Sequence, residues 1–246
     1  MCPVRSSLAL LVLAGCDVVA GVDVEVRPCD DGNDMFDGDP ITIAAANAFS
    51  LSWDRDLVVY VLDALVYEQR LPDGDPQLID LGIYTVEQVA LAPEADALFY
   101  SSAIEPPLLA AALRIAPAQW TFDGAAPAGV YAGTPSSPEY GPRRVLVRMT
   151  VAGQVQEYVQ DGNTWRSIGD AFPVGGTHAP NLTASGLDMV FSDTTGVYAA
   201  HRPSADAAFT EPTLLLAGEH SRPQLLDRCH ELYVIDPDQV INRYDR

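Results

Sequence analysis

The sequence predicts an all-β fold, a β-propeller of about five blades spanning residues 39–246. Three observations predict it. A leading Leu, a polar turn and an apolar burst recur at Leu51, Leu91, Leu182 and Leu225, aligning without gaps. The anchors lie 40, 91 and 43 residues apart, and the long step is twice a period of about 45. Runs such as "VYEQR" and "VQEYVQ" alternate with the two-residue period of a strand, and no long helical period appears. A repeat of that length built from short strands buries its faces only by packing side by side into a ring. An irregular β-sandwich is the alternative, but it does not predict self-similarity at four sites.

At the N-terminus, "MCPVRSSLALLVLAGCD" carries Arg5 and then an apolar stretch from Leu8 to Ala14. That stretch is short of the ~20 residues a spanning helix needs and has the form of an export signal. Leu13-Ala14-Gly15-Cys16 resembles the lipobox of bacterial lipoproteins. The resemblance implies cleavage before Cys16, a diacylglycerol thioether on Cys16, and a signal peptide over residues 1–15. An ordinary cleaved signal with a coincidental cysteine is the other reading. Anchoring through an acylated Cys16 makes the membrane a partner, on the periplasmic side or at the outer surface.

Residues 16–38 then read as an acidic tether. Asp30, Asp31, Asn33, Asp34, Asp37 and Asp39 crowd together there. Oxygen ligands at that density suit Ca²⁺, but the spacing lacks the bidentate Glu of an EF-hand loop. A solvated linker is the preferred reading, and no other cofactor and no further metal site is expected.

Four units follow the anchors, each ending in a second strand: "ALVYEQR", "LAAALR", "GVYAAHR" and "QVINRYDR". A divergent fifth lies between, where "RRVLVRMTVAGQVQEYVQDGNTWRSI" holds three alternating runs broken by Gly turns. Stretches 180–202 and 223–243 are similar to the WD40-like repeat of TolB-type propellers. Such a unit reads Pro, x, Leu, a Ser-Asp-Gly turn, an aromatic strand, then Val-Tyr and Arg. The turn is degraded here to "TASG", "APEA", "SWDR" and "LDRC". That family usually has six blades, so a sixth hidden in residues 103–140 is the alternative to five. The resemblance implies contacts with other envelope proteins.

The last unit stops one strand short, and "DPITIAAANAF" ahead of the first unit is placed to supply it and close the ring. With Cys2 removed and Cys16 acylated, Cys29 and Cys229 remain as a pair in an oxidising compartment, and a bridge between them is expected.

Charge narrows function further. The formal net charge is −20, and all 14 basic residues are Arg. Such a chain repels nucleic acid, and no basic patch interrupts the acidity. No Gly-x-Ser-x-Gly elbow, phosphate loop or Cys-x-x-Cys motif occurs. "QDGNTW" resembles the sialidase Asp-box, a structural turn. By their place in the units, Asn47, Glu87, His178 and His220 are the candidates for a ligand-binding ring at one mouth of the channel. The expected function is a lipid-anchored, non-catalytic envelope module binding a protein or an envelope polymer. The alternative is a propeller hydrolase or lyase acting on glycans or peptides in the central channel. Converging ionisable groups in the channel favour the enzyme, and a plug of small residues favours the scaffold.

Overall fold

A computed structural model describes residues 41–83, 85–102, 108–124, 126–151, 153–175, 178–226 and 230–245. Cys16, Cys29, Cys229 and the Asp-rich stretch lie outside the described residues. So do the sequence readings of lipidation, disulfide and Ca²⁺ that rest on them.

Strand β1 (Ile41–Ala45) precedes the first blade, which comprises β2 (Ala48–Leu51), β3 (Leu57–Leu62), β4 (Leu65–Arg70) and β5 (Gln77–Ile79). Blade two is β6 (Val86–Leu91), β7 (Ala97–Ser102), β8 (Leu108–Ala116) and β9 (Gln119–Asp123). Blade three is β10 (Tyr131–Ala132), β11 (Arg144–Arg148), β12 (Gln154–Asp161) and β13 (Thr164–Pro173). Blade four is β14 (Asn181–Leu182), β15 (Asp188–Ser192), β16 (Gly196–His201) and β17 (Thr213–Ala217). Blade five is β18 (Ser221–Leu226), β19 (Glu231–Ile235) and β20 (Val240–Asp245). Its fourth strand is β1, paired antiparallel to β20 from Ile41↔Arg243 to Ala45↔Val240. The fold is therefore a five-bladed propeller closed by its N-terminal strand. The described residues between 108 and 140 supply β8 and β9 of blade two and β10 of blade three, and the described strands form five blades and not six.

The recurring Leu is an inner-strand residue at or next to the end of its strand, and it enters the core. Leu51 and Leu91 are fully buried, and Leu182 and Leu225 nearly so. The fourth residue after Leu51, Leu91 and Leu182 turns the chain in the left-handed region: Arg55 at φ 63°, Ala95 at φ 57° and Gly186 at φ 70°. A glycine fits there without steric cost, so "SWDR" and "APEA" make the same turn as "TASG" without its glycine.

Five apolar clusters hold the ring, one at each blade–blade seam. Val59 and Val61 meet Val89 and Leu98 between blades one and two. Phe99 meets Val145 and Val147 between two and three, and Leu146 meets Met189 between three and four. Val190 meets Leu232 and Val234 between four and five. Phe49 and Tyr60 meet Tyr233 and Ile241 between five and one. Each cluster draws on two blades, so every repeat unit relies on its neighbours for burial.

Candidate functional site

Because every blade starts with its inner strand, β2, β6, β10, β14 and β18 all run in one direction down the channel. Their first residues therefore gather at one mouth and their last near the opposite face.

Polar side chains stitch these strands together around the channel. Gln224 of blade five brackets Leu51 of blade one, accepting from its N–H and donating to its carbonyl, both at 2.9 Å. Ser50 Oγ accepts from the Leu91 N–H at 2.9 Å, and Gln88 Nε2 donates to the Ala132 carbonyl at 3.0 Å. Asn181 reaches both ways, accepting from the Thr134 N–H at 2.6 Å and donating to the Pro223 carbonyl at 2.6 Å. Every seam of the ring thus carries a side chain bonded to the neighbour's backbone. Ser50 and Thr134, from non-adjacent blades, meet hydroxyl to hydroxyl at 3.3 Å and are buried. This rung links blades one and three across the inner strands.

Above the rung, the mouth collects ionisable groups. The Tyr131 hydroxyl donates to Glu87 Oε2 at 2.7 Å. Arg222, from blade five, crosses the channel and donates from Nη2 to the Glu87 carbonyl at 3.1 Å. The Arg148 guanidinium lies 5.6 Å over the Tyr131 ring. His178 packs edge-on to the same ring at 6.1 Å. Burial, reinforced by the Arg222 and Arg148 charges, pushes the His178 imidazole down to about 3, so it is uncharged at neutral pH. Burial likewise lowers the Arg222 guanidinium to about 10, opposed by Tyr131 and Glu87. Burial and the hydrogen bond to Glu87 hold the Tyr131 phenol above its usual value.

Beside this cluster, between blades four and five, lies a cavity of about 570 Å³. His178 and His220 both line it, with Asp193, Glu219 and Asp236. That volume suits a small ligand. Burial lowers His220, which packs edge-on to Tyr244 at 6.1 Å. Asp193 accepts from the Thr195 hydroxyl and from the Thr195 and Gly196 N–H groups, which hold its carboxyl below the usual range.

Of the four ring candidates, Glu87 and His178 meet through Tyr131, and His178 and His220 share the cavity. Asn47 stands apart and exposed, bonding Gln239 at 3.2 Å and the Asp63 N–H at 3.3 Å. Sequence reasoning missed Tyr131, Arg148 and Arg222. Tyr131 opens a two-residue strand in the divergent blade, and Arg222 follows directly on His220 and Ser221. The offset that selected Glu87 and His178 selects its neighbour instead. Among the described residues, no three of His, Cys, Asp and Glu are grouped to hold a metal ion. Nor is any helix there long and apolar enough to cross a membrane.

The ion pairs gather at the opposite end. Arg202 forks onto Glu157 of the preceding blade with two contacts of 2.9 Å. Arg114 pairs through Nη2 with Glu68 of its preceding blade. Both are the terminal Arg of their repeat, which gives that residue a structural role between blades.

The chain matches no protein-family model and no curated protein. Among solved structures it is similar to a protein assigned as TolB from Agrobacterium tumefaciens. Identity is 13%, TM-score 0.51, and the match covers 76% of this chain and 68% of the other. It is also similar to a gluconolactonase from Xanthomonas campestris, with 12% identity, TM-score 0.53, and coverage of 80% and 71%. At such identities the likeness is one of fold. These comparisons and the sheet arrangement define the fold as a five-bladed β-propeller.

Proposed function

We propose that the protein is a binding module of the bacterial cell envelope, exported and lipid-anchored through Cys16. Its propeller engages a protein or an envelope polymer at the channel mouth without catalysis. One observation carries this reading: at the mouth, above the Ser50–Thr134 rung, Glu87, Tyr131 and Arg222 are fixed by bonds to one another. Groups positioned in this way present a rigid recognition surface. Topology supports the anchoring geometry. Strand β1 runs toward the mouth, so it begins at the far face. A tether ahead of it attaches there and leaves the mouth facing away from the membrane. The repeat's resemblance to TolB-type propellers and the TolB structural neighbour accord with a binding role.

A second reading has its own observation. Glu87, Tyr131, Arg148, His178 and Arg222 converge as the residues of a hydrolase site would, and one fold neighbour is a gluconolactonase. Crosslinking in intact cells, then detergent extraction and mass spectrometry, separates the two. A species captured in proportion to the protein, and lost in both Cys16→Ser and Glu87→Arg, supports the tethered module. An acylated protein that captures nothing, yet hydrolyses lactones or glycans, replaces it with the enzyme.

A further inference from the structure

We propose that the mouth is a site for a single carboxylate, gripped by the guanidinium of Arg222; this rests on reading the mouth as the binding face. Arg222 sits at φ 53° where the β18 register shifts between Ser221 and Gln224. A non-glycine residue in that region is strained, and bulges of this kind re-aim side chains at ligand sites. Here the side chain is thrown across the channel.

Arg202 provides the comparison. Its Nη1 and Nη2 hold Glu157, its Nε donates to the Gly186 carbonyl at 2.9 Å, and Phe209 covers its face at 4.5 Å. Arg222 spends Nη2 on a backbone carbonyl, while its buried Nη1 has no partner. A guanidinium withdrawn from water with a donor unused is costly, and such a group calls for an acceptor. It is not isolated. Nine buried side-chain nitrogens and oxygens lack a partner among the described residues. Six belong to Gln88, Ser101, Ser102, His178, His220 and Arg222, all toward the mouth. The other three are the Nε atoms of Arg114, Arg143 and Arg243 at the opposite end. Unmet hydrogen-bonding capacity is therefore concentrated where a ligand would enter.

Arg222 and Arg148 make this wall of the mouth cationic, and the Glu87 carboxylate there is already engaged by the Tyr131 hydroxyl. An anion is the ligand such a wall takes up. A carboxylate matches the planar fork of a guanidinium. The adjoining cavity carries Asp193, Glu219 and Asp236. The rest of the ligand, where it extends there, is uncharged and hydroxylated or carries a cation.

The test uses acetate and its uncharged isostere acetamide at constant ionic strength. The readouts are the arginine Nε–H and histidine ring resonances of the intact protein. Acetate is expected to shift the Arg222 and His178 signals saturably, and acetamide to leave them in place. Arg222→Met should abolish the His178 response. Arg222→Lys should keep it with affinity reduced about tenfold, the usual scale of one charged hydrogen bond. Equal responses to acetate and acetamide overturn the site, as does an undiminished His178 response in Arg222→Met. Should Arg222→Met fail to fold, the acetate–acetamide comparison and Arg222→Lys decide alone. A silent acetate titration beside a mouth-dependent envelope crosslink sinks the carboxylate site only. A positive titration without any crosslink sinks the envelope reading only.

Discussion

Arg202, buried, and His178, half-buried, are cation-forming side chains with opposite solutions to desolvation. Arg202 is 1% exposed and fully paired. Removing one member of a buried ion pair strands the other, at about 3–5 kcal/mol. Glu157 also holds Arg144 at 3.3 Å, so Arg202→Met should fall near the lower end, about 3 kcal/mol by denaturant unfolding. Adding Glu157→Gln should recover part of that loss. His178 instead stays neutral. Its imidazole titrates near 6.5 in the unfolded chain and at about 3 in the folded one. Between those values the unfolded chain carries a proton that the folded chain lacks, so stability falls as pH falls below 6.5. The slope is about 1.4 kcal/mol per pH unit. His178→Phe should therefore lose about 2 kcal/mol less than the natural protein between pH 6.5 and 5. Equal losses would mean that His178 is protonated normally in the fold. Glu87 and His178 were legible as candidates because unit spacing put them at equivalent places. Arg222 was not, because a bulge and a left-handed φ aim its side chain, and neither feature has a periodic sequence signal.

At the level of elements, the degraded turns explain both what the sequence reveals and what it hides. The Leu anchors are visible because a buried inner-strand position tolerates little else. Three of the four turns carry no glycine at this place, yet Arg55 and Ala95 keep the left-handed backbone that Gly186 has in the fourth. A left-handed non-glycine residue costs roughly 1–2 kcal/mol, and glycine's extra unfolded-state freedom returns roughly 0.5–1 of it. Ala95→Gly should therefore raise stability by about 0.5–1 kcal/mol, read as an upward shift in Tm. Blade three escaped the repeat pattern for a different reason. Its inner strand is joined to β11 by a long connection that includes the 3₁₀ turn Pro138–Tyr140, and not by a four-residue turn. The same connection contains Gly133, where an added Cβ would lie 2.0 Å from the Pro180 carbonyl oxygen of blade four. Backbone cannot yield as a side chain can. Gly133→Ala should pry blades three and four apart and cost about 3 kcal/mol, with Leu182 and Leu146 losing hydrogen-exchange protection first.

The whole molecule stands or falls on closure. Five seams each bury apolar surface, but the seam between blades five and one depends on a strand from the far end of the sequence. Strand β1 satisfies the edge of β20, and the corner after it is pinned by the Ala46 N–H to the Gln239 carbonyl at 2.8 Å. Asn47 adds its bond to the Gln239 side chain. Ile43 packs against the Phe49 and Tyr233 cluster. The missing fourth strand of the last unit made this closure readable from sequence; the bonds that secure it were not, since they join residues 192 positions apart. Removing residues 1–45 leaves β20 as an open edge, which invites pairing with other chains. The shortened chain should melt roughly 10 °C lower, the shift that a few kcal/mol produces at this size. It should also associate with rising concentration. A synthetic peptide of residues 39–47 added in trans should bind the vacant edge and reverse both effects. If the shortened chain melts like the intact protein and stays monomeric, the apolar seams alone suffice and β1 is dispensable. If the peptide rescues, the ring is fastened by the same segment that leads to the N-terminus. A pull on an anchor at Cys16 would then load the closing strand before any other part of the propeller.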